Sequence, residues 1–218
     1  MRRVGIIKEE QRNKLLENSG INLVQGANLI SVDIQPEYEK ALTFDLYSFI
    51  SFLNQNYGYI NSLTFLYNGA DTLGMVSEND YKIWLDENGL KEEIIMSARF
   101  YDKGYAFFRY CMDSYVDEDE IINLVKYMIT HNINDSRDID EEMWNGFIRE
   151  YGYDESELRN LLEMADDCLW IPDLMDFLQN YDGKISLCGG GINECFKEVE
   201  LALSALGKQY NVLTQFTY

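Results

Sequence analysis

The chain has 218 residues, 46% of them hydrophobic and 14% aromatic, which suits one folded domain, large or carrying a substantial insertion. With 38 acidic against 18 basic residues the formal charge is −20, which argues against nucleic acid as a partner, and no stretch is long and apolar enough to span a bilayer. His131 is the single histidine, and Cys111, Cys168, Cys188 and Cys195 show neither a CxxC pair nor zinc-like spacing; a histidine-rich metal centre is therefore excluded and no cofactor is expected.

The opening "MRRVGIIKEEQRNKLLENSG" has two arginines but no apolar run behind them. It does not read as a secretory signal, so a cytoplasmic protein with reduced thiols is expected. The negative charge itself has three readings: solubility, an acidic surface for basic partners, or carboxylates gathered for a divalent metal.

In chain order, residues 1–27 read as a helical lead-in followed by an apolar turn. "NLISVDI" (28–34) has the β-branched character of a buried strand, stopped at Gln35-Pro36. A helix is predicted over 37–56, with Leu42, Leu46, Phe49, Ile50 and Leu53 at helical spacing. "SLTFLY" (62–67) is a second strand ending in the turn signal "NGAD". A short amphipathic helix over 78–88 ends at Gly89, and "EEIIMSARF" (92–100) is taken as a strand.

From about Asp113 to Asp167 the chain is acidic and helical in pattern. "DEDEIINLVKYMI" opens on an acidic first turn, which complements a helix dipole, and "DESELRNLLEMA" repeats the device with Asp154 as N-cap. "IPDLMDFLQNY" is a helix opened by Pro172, and "KISLCGG" (184–190) is a buried strand. "NECFKEVELALSALG" is a helix with Cys195, Val199, Leu203 and Leu206 on one stripe, closed by Gly207, and "YNVLTQF" (210–216) is a last strand.

Strands apolar on both faces, alternating with helices, indicate an α/β three-layer fold with a mostly parallel sheet and an acidic helical insertion. The expected division is 1–112 and 169–218 as the two parts of the α/β domain, with 113–168 as the insertion. Ligands of such folds gather at the carboxyl ends of strands. Asp33, Asn68, Lys103 and the glycine run 189–191 all fall there.

A glycine run between strand and helix lets backbone approach a ligand closely, and the helix start offers free N–H groups. A cysteine at that point has its thiolate stabilised, and the same N–H groups suit an oxyanion. Cys195 is thus either a nucleophile or a packed core thiol. The Walker lysine-serine pair and the GxGxxG spacing are both absent, so a phosphate loop is not indicated. Asp33, set among apolar residues, either takes the thiol proton or caps the helix after Pro36. Lys103 in "YDKGYAFF" either lowers the thiol pKa by charge or is a solvated surface lysine. Arg109, Trp84, Trp144 and Trp170 are given no role.

Together, three stretches resemble the isochorismatase-like cysteine hydrolases. "VDIQPEYEKA" is similar to that family's strand ending in D-x-Q, "KGYAFF" to its K-x-x-Y/F-S-A-F segment, and "GGGINEC" to its G-x-x-T-x-x-C segment. The resemblance implies a Rossmann-like fold and an Asp33–Lys103–Cys195 triad, in which Cys195 attacks a carbonyl-like carbon, Asp33 moves protons and Lys103 supplies charge. It further implies oxyanion contacts from the N–H of Cys195 and of a residue near Gly191 or Ile192, with a cis peptide there. Gln35 and Asn68 complete the candidate binding residues. The chain departs from the pattern in having Ile192 at the threonine position and no serine between Tyr105 and Ala106. The histidine metal site of nicotinamidases cannot be built with His131 alone.

The expected function is therefore hydrolysis of a small amide, carbamoyl or related substrate through a thioester-type intermediate, with rapid alkylation of an ionised Cys195. The partner is a small molecule, with no nucleic acid, no membrane and an open question of homo-oligomers. Two alternatives stand beside it. One is a retired hydrolase fold acting as an acidic binding protein. The other is a magnesium-dependent phosphoryl-transfer enzyme using Asp33, Asp71, Asp102 or Glu194.

Overall fold

The structure, a computed structural model, describes residues 21–103, 117–154, 161 and 172–218. Five strands pair in parallel in the order β3-β2-β1-β4-β5: β1 Asn28–Val32, β2 Ser62–Tyr67, β3 Arg99–Asp102, β4 Ile185–Gly189 and β5 Tyr210–Thr217. β1 and β4 are buried at every position and β2 at all but its first, which is why these segments read as unbroken apolar runs rather than as alternating ones. Both edge strands, β3 and β5, carry exposed positions.

Alternation of side chains splits the core in two. Leu29, Leu63, Phe65 and Leu213 face a layer made by α1 (Leu46–Asn56), α2 (Glu78–Glu87) and α3 (Glu92–Ser97), through Phe49, Leu53, Tyr81, Leu85 and Ile94. Ile30, Val32, Leu66, Ile185 and Leu187 face the opposite layer of α4 (Glu118–His131), α5 (Glu141–Tyr151), α6 (Pro172–Gln179) and α7 (Cys195–Ala205). Each fully buried Leu, Ile or Phe contributes roughly 1.5–3 kcal/mol. Acidic caps start several of these helices: the side chains of Asp45, Asp117 and Asp140 accept from the amides of Ser48, Asp119 and Met143. The acidic segment joins the sandwich through α4, which buries Ile121, Leu124, Val125 and Met128 while its Glu118 and Asp119 stay in solvent.

Two predicted elements differ. The helix expected over 37–56 is instead a 3-10 turn, Pro36–Ala41, followed by α1. Leu42 leaves the helical region at ψ 127°, and Asp45, capping Ser48, starts a new helix. The segment 92–100, expected as a strand, is helix α3 and then β3. Glu92 and Glu93 favour a helix start, Ile94 and Ile95 bury one side of a single turn and a half, and Ala98 at ψ 152° returns the chain to extended form. Residues 1–20, most of the helix expected after Asp154, and Tyr105 to Phe107 lie outside the described residues. Among the described residues no helix is long and apolar enough to cross a membrane.

From β1 the chain builds outward through β2 to β3, then crosses back to place β4 on the other side of β1. The reversal falls between β1 and β4, and folds of this kind bind ligands beyond the carboxyl ends of such strands. Gly189 sits on that rim with φ 114°, and a Cβ there would fall 1.9 Å from the carbonyl oxygen of Val32. Gly183 also has positive φ, 85°, but has open space around it. Gly189→Ala is therefore expected to destabilise by more than about 3 kcal/mol and Gly183→Ala by about 1 kcal/mol, as read from urea unfolding midpoints.

Candidate functional site

The strand ends deliver the chemistry. Asp33 follows β1, Asn68 follows β2, Lys103 follows β3, and the glycines 189–191 lead from β4 into α7, whose first residue is Cys195. The sheet continues just far enough to set these groups: the Asp33 amide donates to the Leu66 carbonyl at 2.9 Å and the Lys103 amide to that of Tyr67 at 2.9 Å. Asp33 adopts a left-handed φ of 52°. Such a conformation costs a non-glycine residue of order 1–3 kcal/mol, though aspartate tolerates it better than most, and it turns the side chain back over the sheet edge.

Lys103 Nζ lies 3.1 Å from Asp33 Oδ2, with side chains 1% and 2% exposed. Lys103 also donates to Asn68 Oδ1 at 3.0 Å. Burial alone pulls the Lys103 pKa down, but the charges of Asp33, Cys195 and Glu198 outweigh it and leave the amine more basic than usual. Neither Asp33 oxygen accepts an aligned hydrogen bond from the described residues. The carboxylate is held by the Lys103 charge.

Gln35 and Asn68, the expected binding residues, are bonded to each other, and Asn68 to Lys103. Gln35 Oε1 accepts from the Asn68 amide at 2.9 Å, and Gln35 Nε2 donates to Glu37 Oε2 at 2.9 Å and to the Asn68 carbonyl at 3.3 Å. Asn68 Nδ2 donates to the Tyr38 hydroxyl at 3.1 Å. Both side chains are buried, and Gln35 fixes the Asn68 backbone whose side chain accepts from Lys103.

Cys195 is half-buried at the start of α7. Among the described residues its N–H has no backbone acceptor, as befits the first turn of a helix. Its thiol does not have the lowered pKa expected of it. Burial pushes it up to about 12, the Asp33 charge adds to the rise, Lys103 opposes it and Glu198 adds again. The resting sulfur is a thiol, because desolvation at this depth exceeds what one shared lysine returns.

The glycine run is also used differently from expectation. The Ile192 N–H donates to the Tyr218 carbonyl at 2.9 Å, and the Ile192 side chain is exposed. The Gly191 carbonyl, at φ 62°, accepts from the amides of Glu194 and Phe196. All peptide bonds of the described residues are trans. Of the amides expected to face an oxyanion, that of Ile192 is thus already taken.

Three residues at the site were not singled out by the sequence reading: Tyr38, Glu198 and Tyr218. Tyr38 and Tyr218 both feel the charges of Asp33 and Cys195, and Glu198 is buried and acts on Cys195 and Lys103. Glu198 was detectable, since three residues past Cys195 is the same helix face. Nothing in the sequence marks Tyr218. Among the described residues no group of three His, Cys, Asp or Glu side chains gathers as a metal site, and Asp102 Oδ1 accepts instead from the Gly69 amide at 2.9 Å. No family model, no curated protein and no solved structure matches the chain.

Two outcomes follow for stability. Lys103→Met strands Asp33 in the interior and should cost about 3–5 kcal/mol in urea unfolding, while adding Asp33→Asn to it should recover much of that loss. Cys188, fully buried, has its thiol raised to about 12 by burial, as Cys195 does. In the unfolded chain both ionise near the ordinary value of 9.0, so the native state alone keeps these protons above that pH. Their contribution is complete below about pH 9 and is lost as pH climbs towards about 12. Urea midpoints should be flat up to pH 8 and fall beyond 9, with a shallower fall in Cys188→Ala.

Proposed function

We propose that this chain is a cysteine-dependent hydrolase of a small amide, carbamoyl or related substrate. The reading is supported above all by the meeting of a buried Asp33–Lys103 pair with the charge-coupled thiol of Cys195 at the carboxyl ends of the strands. Because the resting sulfur is protonated, activation comes with attack rather than before it. As the Cys195 S–C bond forms, the S–H proton passes to Asp33 and the carbonyl electron pair moves to oxygen. The helix start, through the Cys195 N–H, faces that oxyanion.

Collapse of the tetrahedral intermediate breaks the C–N bond, and protonated Asp33 gives its proton to the departing amine, leaving a thioester. A water molecule then attacks the thioester carbon, Asp33 takes its proton, the C–S bond breaks, and the proton returns to sulfur as the acid product leaves. Lys103 balances the negative charge that alternates between Asp33 and sulfur. The substrate is a small molecule met in the cytoplasm.

The test is release of ammonia or amine from a panel of small primary amides and N-carbamoyl compounds. Cys195→Ala should remove turnover by at least about 10³-fold and Asp33→Asn by about 10²–10⁴-fold. Turnover that survives in Cys195→Ala sinks the reading.

The protonated thiol and the occupied Ile192 N–H favour a second reading, a retired hydrolase fold whose acidic surface binds a basic partner. Partner binding that weakens with added salt and is unchanged in Cys195→Ala, with no turnover by the parent protein, supports it.

A further inference from the structure

The left-handed turn at Asp33 has both of its main-chain polar groups tied. The Asp33 amide donates to the Leu66 carbonyl at 2.9 Å, and the Asp33 carbonyl accepts from the Tyr218 hydroxyl at 2.8 Å. The first bond belongs to the sheet. The second comes from a residue that follows β5, a strand two places removed from β1, which Asp33 follows.

Tyr218 is itself fixed by the glycine run. Its amide donates to the Gly189 carbonyl at 3.2 Å and its carbonyl accepts from the Ile192 amide at 2.9 Å. Its ring lies directly over Gly190, where a Cβ would fall 1.6 Å from the ring Cζ. The Phe44 ring backs it, with centroids 6.2 Å apart. A phenol so placed reaches from Gly190 to the Asp33 backbone. Burial, followed by the charges of Asp33 and Cys195, raises its pKa, which keeps the hydroxyl a donor.

We propose that Tyr218 is a positioning residue for Asp33: its hydroxyl holds the left-handed turn that turns the Asp33 carboxylate towards Lys103 and Cys195. The inference rests on the Asp33–Cys195 chemistry proposed above. It explains why glycine stands at 190, where an added Cβ would meet the Tyr218 ring. The space it leaves open is taken by the ring that sets the acid. One glycine run then serves both arms of the site, the sulfur through the entry into α7 and the carboxylate through Tyr218.

The decisive variant is Tyr218→Phe, which keeps the ring and removes the hydroxyl. The readout is the rate of Cys195 alkylation by iodoacetamide between pH 7 and 10, followed peptide by peptide by mass spectrometry. With the turn released, the carboxylate moves off the thiol while Lys103 stays, so the thiol becomes more acidic. A fall of about one pKa unit multiplies the thiolate about tenfold, and the weaker nucleophilicity of a more acidic thiol leaves a rate gain of about threefold at pH 8. Gly190→Ala, which drives the ring away, should reproduce that profile.

An alkylation profile in Tyr218→Phe that coincides with the parent's overturns the proposal. A lowered Tm with an unchanged profile overturns it equally, since that is packing alone. If Gly190→Ala shifts the profile and Tyr218→Phe does not, the ring rather than the hydroxyl sets the turn, and the assignment falls. None of these outcomes depends on turnover. Failure of the hydrolase reading shows instead as amide release that survives in Cys195→Ala.

Discussion

A charge pair sealed from water organises this molecule. Asp33 and Lys103 come from the ends of two strands that do not touch, with β2 between them, and each is almost completely buried. Neither charge is tolerable there alone, because removing either leaves an uncompensated ion in the interior. The two strand ends must therefore stay in register. Gln35 and Asn68 bridge the gap by exchanging backbone and side-chain bonds across it. The pair is poor evidence for stability but good evidence for purpose, since apolar residues of similar size would fill the space at lower cost.

The thiol is tuned by the same pair. A cysteine at a helix start beside a lysine is ordinarily acidic. Here the lysine is already committed to Asp33, and two carboxylates, Asp33 and Glu198, lie within reach of the sulfur. The balance leaves sulfur neutral at rest and places a proton acceptor next to it. A neutral thiol is less readily oxidised than a thiolate.

Much of this was legible in the residues. The central strands were visible because burial on both faces demands an unbroken apolar run, as in "SLTFLY", and their carboxyl ends pointed to Asp33, Asn68 and Lys103 before any geometry was known. What was not legible depended on distance in space. The segment 92–100 carries enough Ile and Phe for a strand, and only the single buried side offered to Ile94 and Ile95 makes its first part a helix. The roles of Gln35 and Asn68 could not be told from their types, since an amide that binds substrate and one that braces a lysine look alike in sequence. The sign of the Cys195 shift likewise depends on depth of burial, which residue spacing does not encode.

The placement of β1 has a consequence for how the molecule is made. Its two partners are β2, close by in the chain, and β4, whose Ile185 pairs with the same Asn28 that faces Ser62. During synthesis from the ribosome, the acid and the amine can meet once the first half of the polypeptide has emerged. The sulfur and its flanking glycines arrive much later. Until then one edge of the central strand stands open, so the growing chain passes through a stage in which the Asp33–Lys103 pair exists without the Cys195 loop beside it.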